Sequence, residues 1–122
     1  MAVMKLLSRL FRRSAAKPRW IDAAALATRL EQNAAPLIID VRGPDEFTGP
    51  LGHIAEATNL PLNELADRMP DLVREDRPMV LVCKTDRRSS IAALQLVQAG
   101  ASEVSVLKGG MEEWRGLGLP AS

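Results

Sequence analysis

Short runs of consecutive apolar residues alternate along this chain with stretches whose apolar positions recur every three or four residues. The first spacing predicts buried strands and the second predicts helices packed on one side. Trp20-Ile21 predicts a short edge strand. Asp22 then caps a helix that runs through Leu26 and Leu30 to about Gln32. Leu37-Ile38-Ile39-Asp40-Val41 predicts a buried second strand, and the polar stretch Arg42 to Phe47 follows it. Ala57 to Leu60 predicts a third strand, stopped by Pro61. Leu62 to Met69 predicts a short helix with Leu62, Leu65 and Met69 turned inward. Pro78 to Cys83 has the unbroken apolar, β-branched character of an interior parallel strand. A helix from Ser89 to Ala99 follows, closed by Gly100. Val104 to Leu107 is the fifth strand, Gly109-Gly110 breaks it, and Met111 to Arg115 forms a last turn of helix. Strand and helix in regular alternation predict an α/β fold, a parallel sheet covered by helices on both faces.

The length of 122 residues suits one domain with a proper core, expected over residues 19–122 behind a tail of residues 1–18. A single cysteine excludes an intrachain disulfide and points to a reducing, cytoplasmic setting. With only one histidine, His53, beside that cysteine, no closed Cys/His zinc site is available. No apolar run is long enough to span a membrane, and nothing resembles a secretory leader. The net charge of +1 conceals an asymmetry. Lys5, Arg9, Arg12, Arg13, Lys17 and Arg19 fall in residues 1–20, which carry no acid, so the remainder is net acidic. A nucleic-acid surface spread over the domain is therefore not expected. Residues 1–17 predict a short amphipathic helix, with Val3, Leu7 and Leu10 opposite the cations, suited to a membrane surface or a partner protein. A flexible basic tail and a targeting peptide are the alternatives for this segment.

The densest chemistry is the run Cys83-Lys84-Thr85-Asp86-Arg87-Arg88-Ser89. Cys83 ends an interior strand and precedes a long helix, the position at which open α/β sheets bind ligands. A thiol there faces loop N–H groups and the positive end of a helix dipole, which favour the reactive thiolate. Lys84, Arg87 and Arg88 act in the same direction. An inert buried thiol is the competing reading, and the polar, cationic neighbours argue against it.

Three segments together resemble the rhodanese sulfurtransferases. They are Ile38-Ile39-Asp40-Val41-Arg42 with Glu46-Phe47, Gly52-His53-Ile54 and Asn59-Leu60-Pro61; the loop Cys83 to Ser89; and Leu107-Lys108-Gly109-Gly110-Met111 with Trp114 and Gly118-Leu119-Pro120. The resemblance covers about residues 20–120. It implies a rhodanese-like central five-stranded parallel sheet and a thiolate cradled by residues 83–88. It also implies ping-pong sulfur transfer, with Cys83 taking the sulfane sulfur of a small anionic donor such as thiosulfate or a persulfide. A thiol, cyanide or protein acceptor would then collect it from a Cys83 persulfide, with no cofactor or metal required. On this reading Lys84, Thr85, Asp86, Arg87, Arg88 and Ser89 form the substrate-binding loop, inward backbone N–H groups make an anion-binding concavity, and Arg88 offers forked donors to an oxyanion. Lys84 and Arg87 add positive potential at the entrance, solvated surface charge being their alternative role. Asp40 and Arg42 are expected to support the loop rather than touch substrate. His53 is expected to be structural and hydrogen-bonded, and Gly109-Gly110 and Trp114 to form a tight turn and a packing anchor.

Phosphatases and arsenate reductases of the same fold place five residues between cysteine and arginine. Here four lie between Cys83 and Arg88, a register that favours sulfur over phosphate. A small phosphatase or arsenate reductase is the alternative enzyme, and a rhodanese-like binding module is the non-catalytic alternative. Asp86 departs from the family's usual glycine. It is expected to tolerate a positive φ, and its carboxylate either pairs with Arg87 or Arg42 or opposes the thiolate. Two additional residues before His53 predict a longer surface loop.

Overall fold

The computed structural model describes residues 17–122, so the helix expected over residues 1–17 lies outside the described residues except for Lys17. Five strands and five α-helices follow in alternation. They are β1 (Arg19–Ile21), α1 (Ala23–Glu31), β2 (Leu37–Asp40), α2 (Pro44–Phe47), β3 (Thr58–Asn59), α3 (Leu65–Val73), β4 (Met79–Val82), α4 (Arg87–Ala99), β5 (Val104–Leu107) and α5 (Gly110–Gly116). All strand pairs are parallel, and the order across the sheet is β1-β5-β4-β2-β3, with β4 central.

The period-two rule of a strand divides the core. Ile39, Met79, Leu81, Val104 and Val106 point to one face, where Leu65 and Leu72 of α3 and Ala92, Ala93, Leu96 and Val97 of α4 cover them. Ile38, Val80, Val82 and Leu107 point to the other, beneath Ala23 and Leu26 of α1 and Met111 and Trp114 of α5. Cys83 continues the alternation of Met79 and Leu81 one step past the end of β4, so its side chain belongs to the α3/α4 face. Asp22 caps α1 by accepting from the Ala25 N–H at 2.8 Å, and Gly100 closes α4 at φ 111°.

Three elements differ from the sequence reading. The polar stretch after β2 contains α2, which begins with Pro44 in the first turn, where a missing N–H costs nothing. The third strand shortens to Thr58–Asn59. The helix expected to stop at Met69 instead begins as a 3-10 turn at Leu62–Glu64 and continues through Pro70 to Val73. Pro70 removes one hydrogen bond, but Leu65, Met69 and Leu72 still share the inward stripe, and burial of Leu65 and Leu72 outweighs that loss. No described helix is long and apolar enough to cross a membrane.

Candidate active site

Cys83 lies at the carboxyl end of the central strand, and α4 starts four residues later. Its residue is 1 % exposed, so the thiol sits beneath the loop rather than at an open mouth. The Sγ is 3.2 Å from the Ser89 Oγ and accepts from the Ser89 N–H at 3.4 Å. Ser89, fully buried in the first turn of α4, thus brings both a hydroxyl and a helix N-terminal amide to the sulfur.

The turn after β5 holds the loop in place. The Met111 and Glu112 N–H groups donate to the carbonyls of Cys83 and Lys84 at 2.9 and 3.0 Å. A trans peptide places its N–H opposite its C=O. Tying those two carbonyls to α5 therefore turns the N–H groups of Lys84 and Thr85 away from it. Among the described residues, the backbone N–H groups of residues 84–88 make no hydrogen bond, leaving five successive donors unused in the loop that follows the sulfur. Such a run is an anion-binding concavity. Gly109 and Gly110 take positive φ values of 76° and 54°, and Gly110 lies directly against the carbonyl oxygens of Cys83, Lys84 and Thr85.

The charged residues of the loop are largely paired. Lys84 is exposed, with its Nζ 3.7 Å from Glu112. Arg87 is exposed at the start of α4, and among the described residues it has no carboxylate within ion-pair distance. Asp86 adopts φ −147° with ψ 9°, so its replacement of glycine needs no left-handed backbone. Its carboxylate pairs with neither Arg87 nor Arg42. It accepts from the Gly109 N–H at 3.4 Å and so ties the loop again to the β5–α5 turn. Arg88, expected to aim its fork at an oxyanion, instead donates from Nη1 and Nη2 to both oxygens of Glu46 at 2.6 and 2.9 Å.

Glu46, quoted above only as part of a resembling segment, is the partner that Arg88 finds in the fold. The Arg88 bond lowers its carboxyl from an ordinary 4.5 to about 2, against partial desolvation and with help from the Gly43 N–H. The same bond raises Arg88 further above its usual value. A carboxyl depressed on folding stabilises the fold above its unfolded value, and that contribution disappears as the pH falls through the folded one. The stability difference between wild type and Glu46→Gln is accordingly expected to stay level above about pH 5 and to close as the pH falls from 4.5 to about 2. Thermal melts of the two proteins across that range check this.

Asp40 and Arg42 form a buried platform beneath α2. The Arg42 Nη2 lies 2.7 Å from Asp40, and both side chains are inaccessible. The guanidinium also donates to the Gly52 carbonyl at 2.7 Å and to the Glu46 carbonyl at 3.1 Å, while the Asn59 amide donates to the carbonyls of both Asp40 and Arg42. The backbone of Glu46 is thereby fixed, and its carboxylate fixes Arg88. His53 makes its contacts elsewhere: its Nδ1 is 2.8 Å from the Phe47 carbonyl, and its ring stacks on Phe47. Trp114 is buried, with its indole N–H donating to the Pro120 carbonyl.

A parallel α/β sheet with a buried thiol at its central carboxyl edge, held by a loop with unused amides, defines a domain built around one sulfur. The chain belongs to the rhodanese-like domain family, whose pattern matches residues 22–117. It is 35 % identical over 100 residues to a protein of Allochromatium vinosum named "Sulfurtransferase", covering 82 % of this chain and 91 % of that one. It is 38 % identical over 86 residues to the "Thiosulfate sulfurtransferase GlpE" of Stutzerimonas stutzeri, covering 69 % and 74 % respectively. The crystal structure of a rhodanese-related protein from Thermoplasma volcanium aligns with a TM-score of 0.72 at 33 % identity, over 84 % of this chain and 95 % of that one. Against a 44 % identical Bacillus subtilis protein, YqhL, the match covers 60 % of that protein's length.

Proposed function

We propose that this protein is a sulfurtransferase that carries a sulfane sulfur as a Cys83 persulfide. The observation that carries the reading is the set of five unused backbone N–H groups, residues 84–88, in the loop that follows a sulfur already hydrogen-bonded to Ser89. Such a site stabilises a negative charge on sulfur both before and after transfer. With thiosulfate as donor, the Cys83 thiolate attacks the outer sulfur. The sulfur–sulfur bond of the donor breaks with its electron pair leaving on sulfite, and a new S–S bond to Sγ leaves the negative charge on the terminal sulfur. An acceptor thiolate then attacks that sulfur and releases the Cys83 thiolate. Relatives named as sulfurtransferases, one of them for thiosulfate, support the same assignment.

Incubation of the intact chain with thiosulfate should add one sulfur, about 32 Da by mass spectrometry, removable by a reducing thiol. Cys83→Ser should gain nothing. No mass gain on the wild type from thiosulfate or from a small-molecule persulfide would exclude the proposed activity.

A further inference from the structure

We infer that Glu46 is a specificity-determining residue for the sulfur donor, because it pairs end-on with Arg88 and its negative charge opposes a donor's oxyanion at that guanidinium. The inference rests on the sulfurtransferase reading of Cys83. Arg88 follows Cys83 by five residues and stands one residue before the buried Ser89 that binds the sulfur, in the first turn of the same helix, and a guanidinium there can meet the oxygens of a donor. Of the five N–H donors of its planar guanidinium, Glu46 takes one from Nη1 and one from Nη2 and sets its carboxylate charge against the group.

The arrangement is built from both sides. Glu46 lies on α2, receives the Gly43 N–H at its Oε1, and has its carbonyl held by the buried Arg42. The carboxylate therefore reaches Arg88 from a fixed backbone rather than from a mobile loop. Both side chains are partly exposed, at 36 % and 39 %, so an incoming anion has access to the pair. A dianion with sulfonate oxygens meets the negative charge of Glu46 at a guanidinium that Glu46 already neutralises. A donor without oxyanion character avoids that repulsion and uses only the loop amides. The pair thus biases the site away from thiosulfate-like donors and toward donors recognised through their sulfur.

The test is a Glu46→Gln variant assayed in both halves of the ping-pong reaction. The KM for thiosulfate should fall roughly fivefold, the scale of a well-formed but partly exposed ion pair. The KM for an uncharged dithiol acceptor should not change. In an Arg88→Gln background the same substitution should leave the thiosulfate KM where it was, since its effect runs through the guanidinium. Should Glu46→Gln fail to fold by thermal melt, Glu46→Asp keeps the charge but is too short for the two-point contact, and it should lower the KM by a smaller factor. An unchanged or increased thiosulfate KM in a folded variant would overturn the inference, as would an equal fall in the Arg88→Gln background. Calorimetric binding of thiosulfate to Cys83→Ser, with and without Glu46→Gln, reads that repulsion without any sulfur transfer. Tighter binding in the double variant supports the role of Glu46 even where no persulfide forms, and equal binding refutes it even where one does.

Discussion

Arg42→Met is expected to destabilise the domain by about 3–5 kcal/mol, lowering its melting temperature by roughly 10–25 °C. The guanidinium is 1 % exposed and makes three close approaches to the Asp40 carboxylate, through Nε at 2.9 and 3.2 Å and Nη2 at 2.7 Å. Methionine matches its bulk but removes every one of these donors. The Asp40 carboxylate would keep only the Arg42 N–H at 3.1 Å, and the Gly52 and Glu46 carbonyls would each lose a partner. A buried charge left without its counterion is among the costliest single defects in a protein interior. A sharper check is the double variant Asp40→Leu with Arg42→Met. Removing both charges should cost less than removing Arg42 alone, since no isolated carboxylate remains. Urea denaturation of all three proteins measures this, and a single-variant loss under about 1 kcal/mol would show that the pair is not what holds α2.

Gly110→Ala should damage the site more than any surface change in the loop itself. A Cβ at this position would fall within the van der Waals radii of the Cys83, Lys84 and Thr85 carbonyl oxygens, all of them backbone atoms that cannot rotate away. The residue also has φ 54°, which a side chain disfavours. Relief requires the loop and the start of α5 to separate, which breaks the bonds from Met111 and Glu112 to the loop carbonyls. Persulfide formation is expected to slow roughly 100-fold, the scale associated with moving a reacting group by about 1 Å. Stability should fall by about 2–3 kcal/mol. Gly118→Ala provides the control: φ is 73° there too, but no atom lies within 4 Å of the added Cβ. It should show the backbone strain alone, about 1 kcal/mol, with unchanged sulfur loading. Stopped-flow loading and thermal melts of the two variants separate the contributions.

The strands of the sheet were legible because an unbroken apolar run is a local property, and once a strand is placed its period of two assigns the faces. Met79, Leu81 and Cys83 fall on one face and Val80 and Val82 on the other, and the order of residues alone already says so. The caps of α1 and α4 were equally local, each resting on one residue with a specific backbone role, Asp22 or Gly100. Helix α2 was not legible, since the four residues Pro44–Phe47 are too few to show a helical period. The partners within the site were hidden for a different reason. Arg88 meets Glu46 across 42 positions and Asp86 meets Gly109 across 23, and no spacing rule connects them. The acid one turn into a helix that follows Arg42 was the available hint, because an acid there both faces the helix N-terminus and reaches beyond it. Likewise, Gly110 could be read as a turn glycine, but only the packing of α5 on the loop reveals why no side chain fits there.

Met111 and Glu112 hold the loop after Cys83 by its carbonyls and leave its amides free, and this separates two properties that usually move together. In most folded segments, rigidity and protection from hydrogen exchange both come from the same amide hydrogen bonds. Residues 84–88 have the anchoring without the protection. Their amides make no hydrogen bond, in a backbone held from the opposite side. An anion in the cradle therefore has no loop to order on arrival, and the entropy that a mobile loop would forfeit on binding has already been lost on folding.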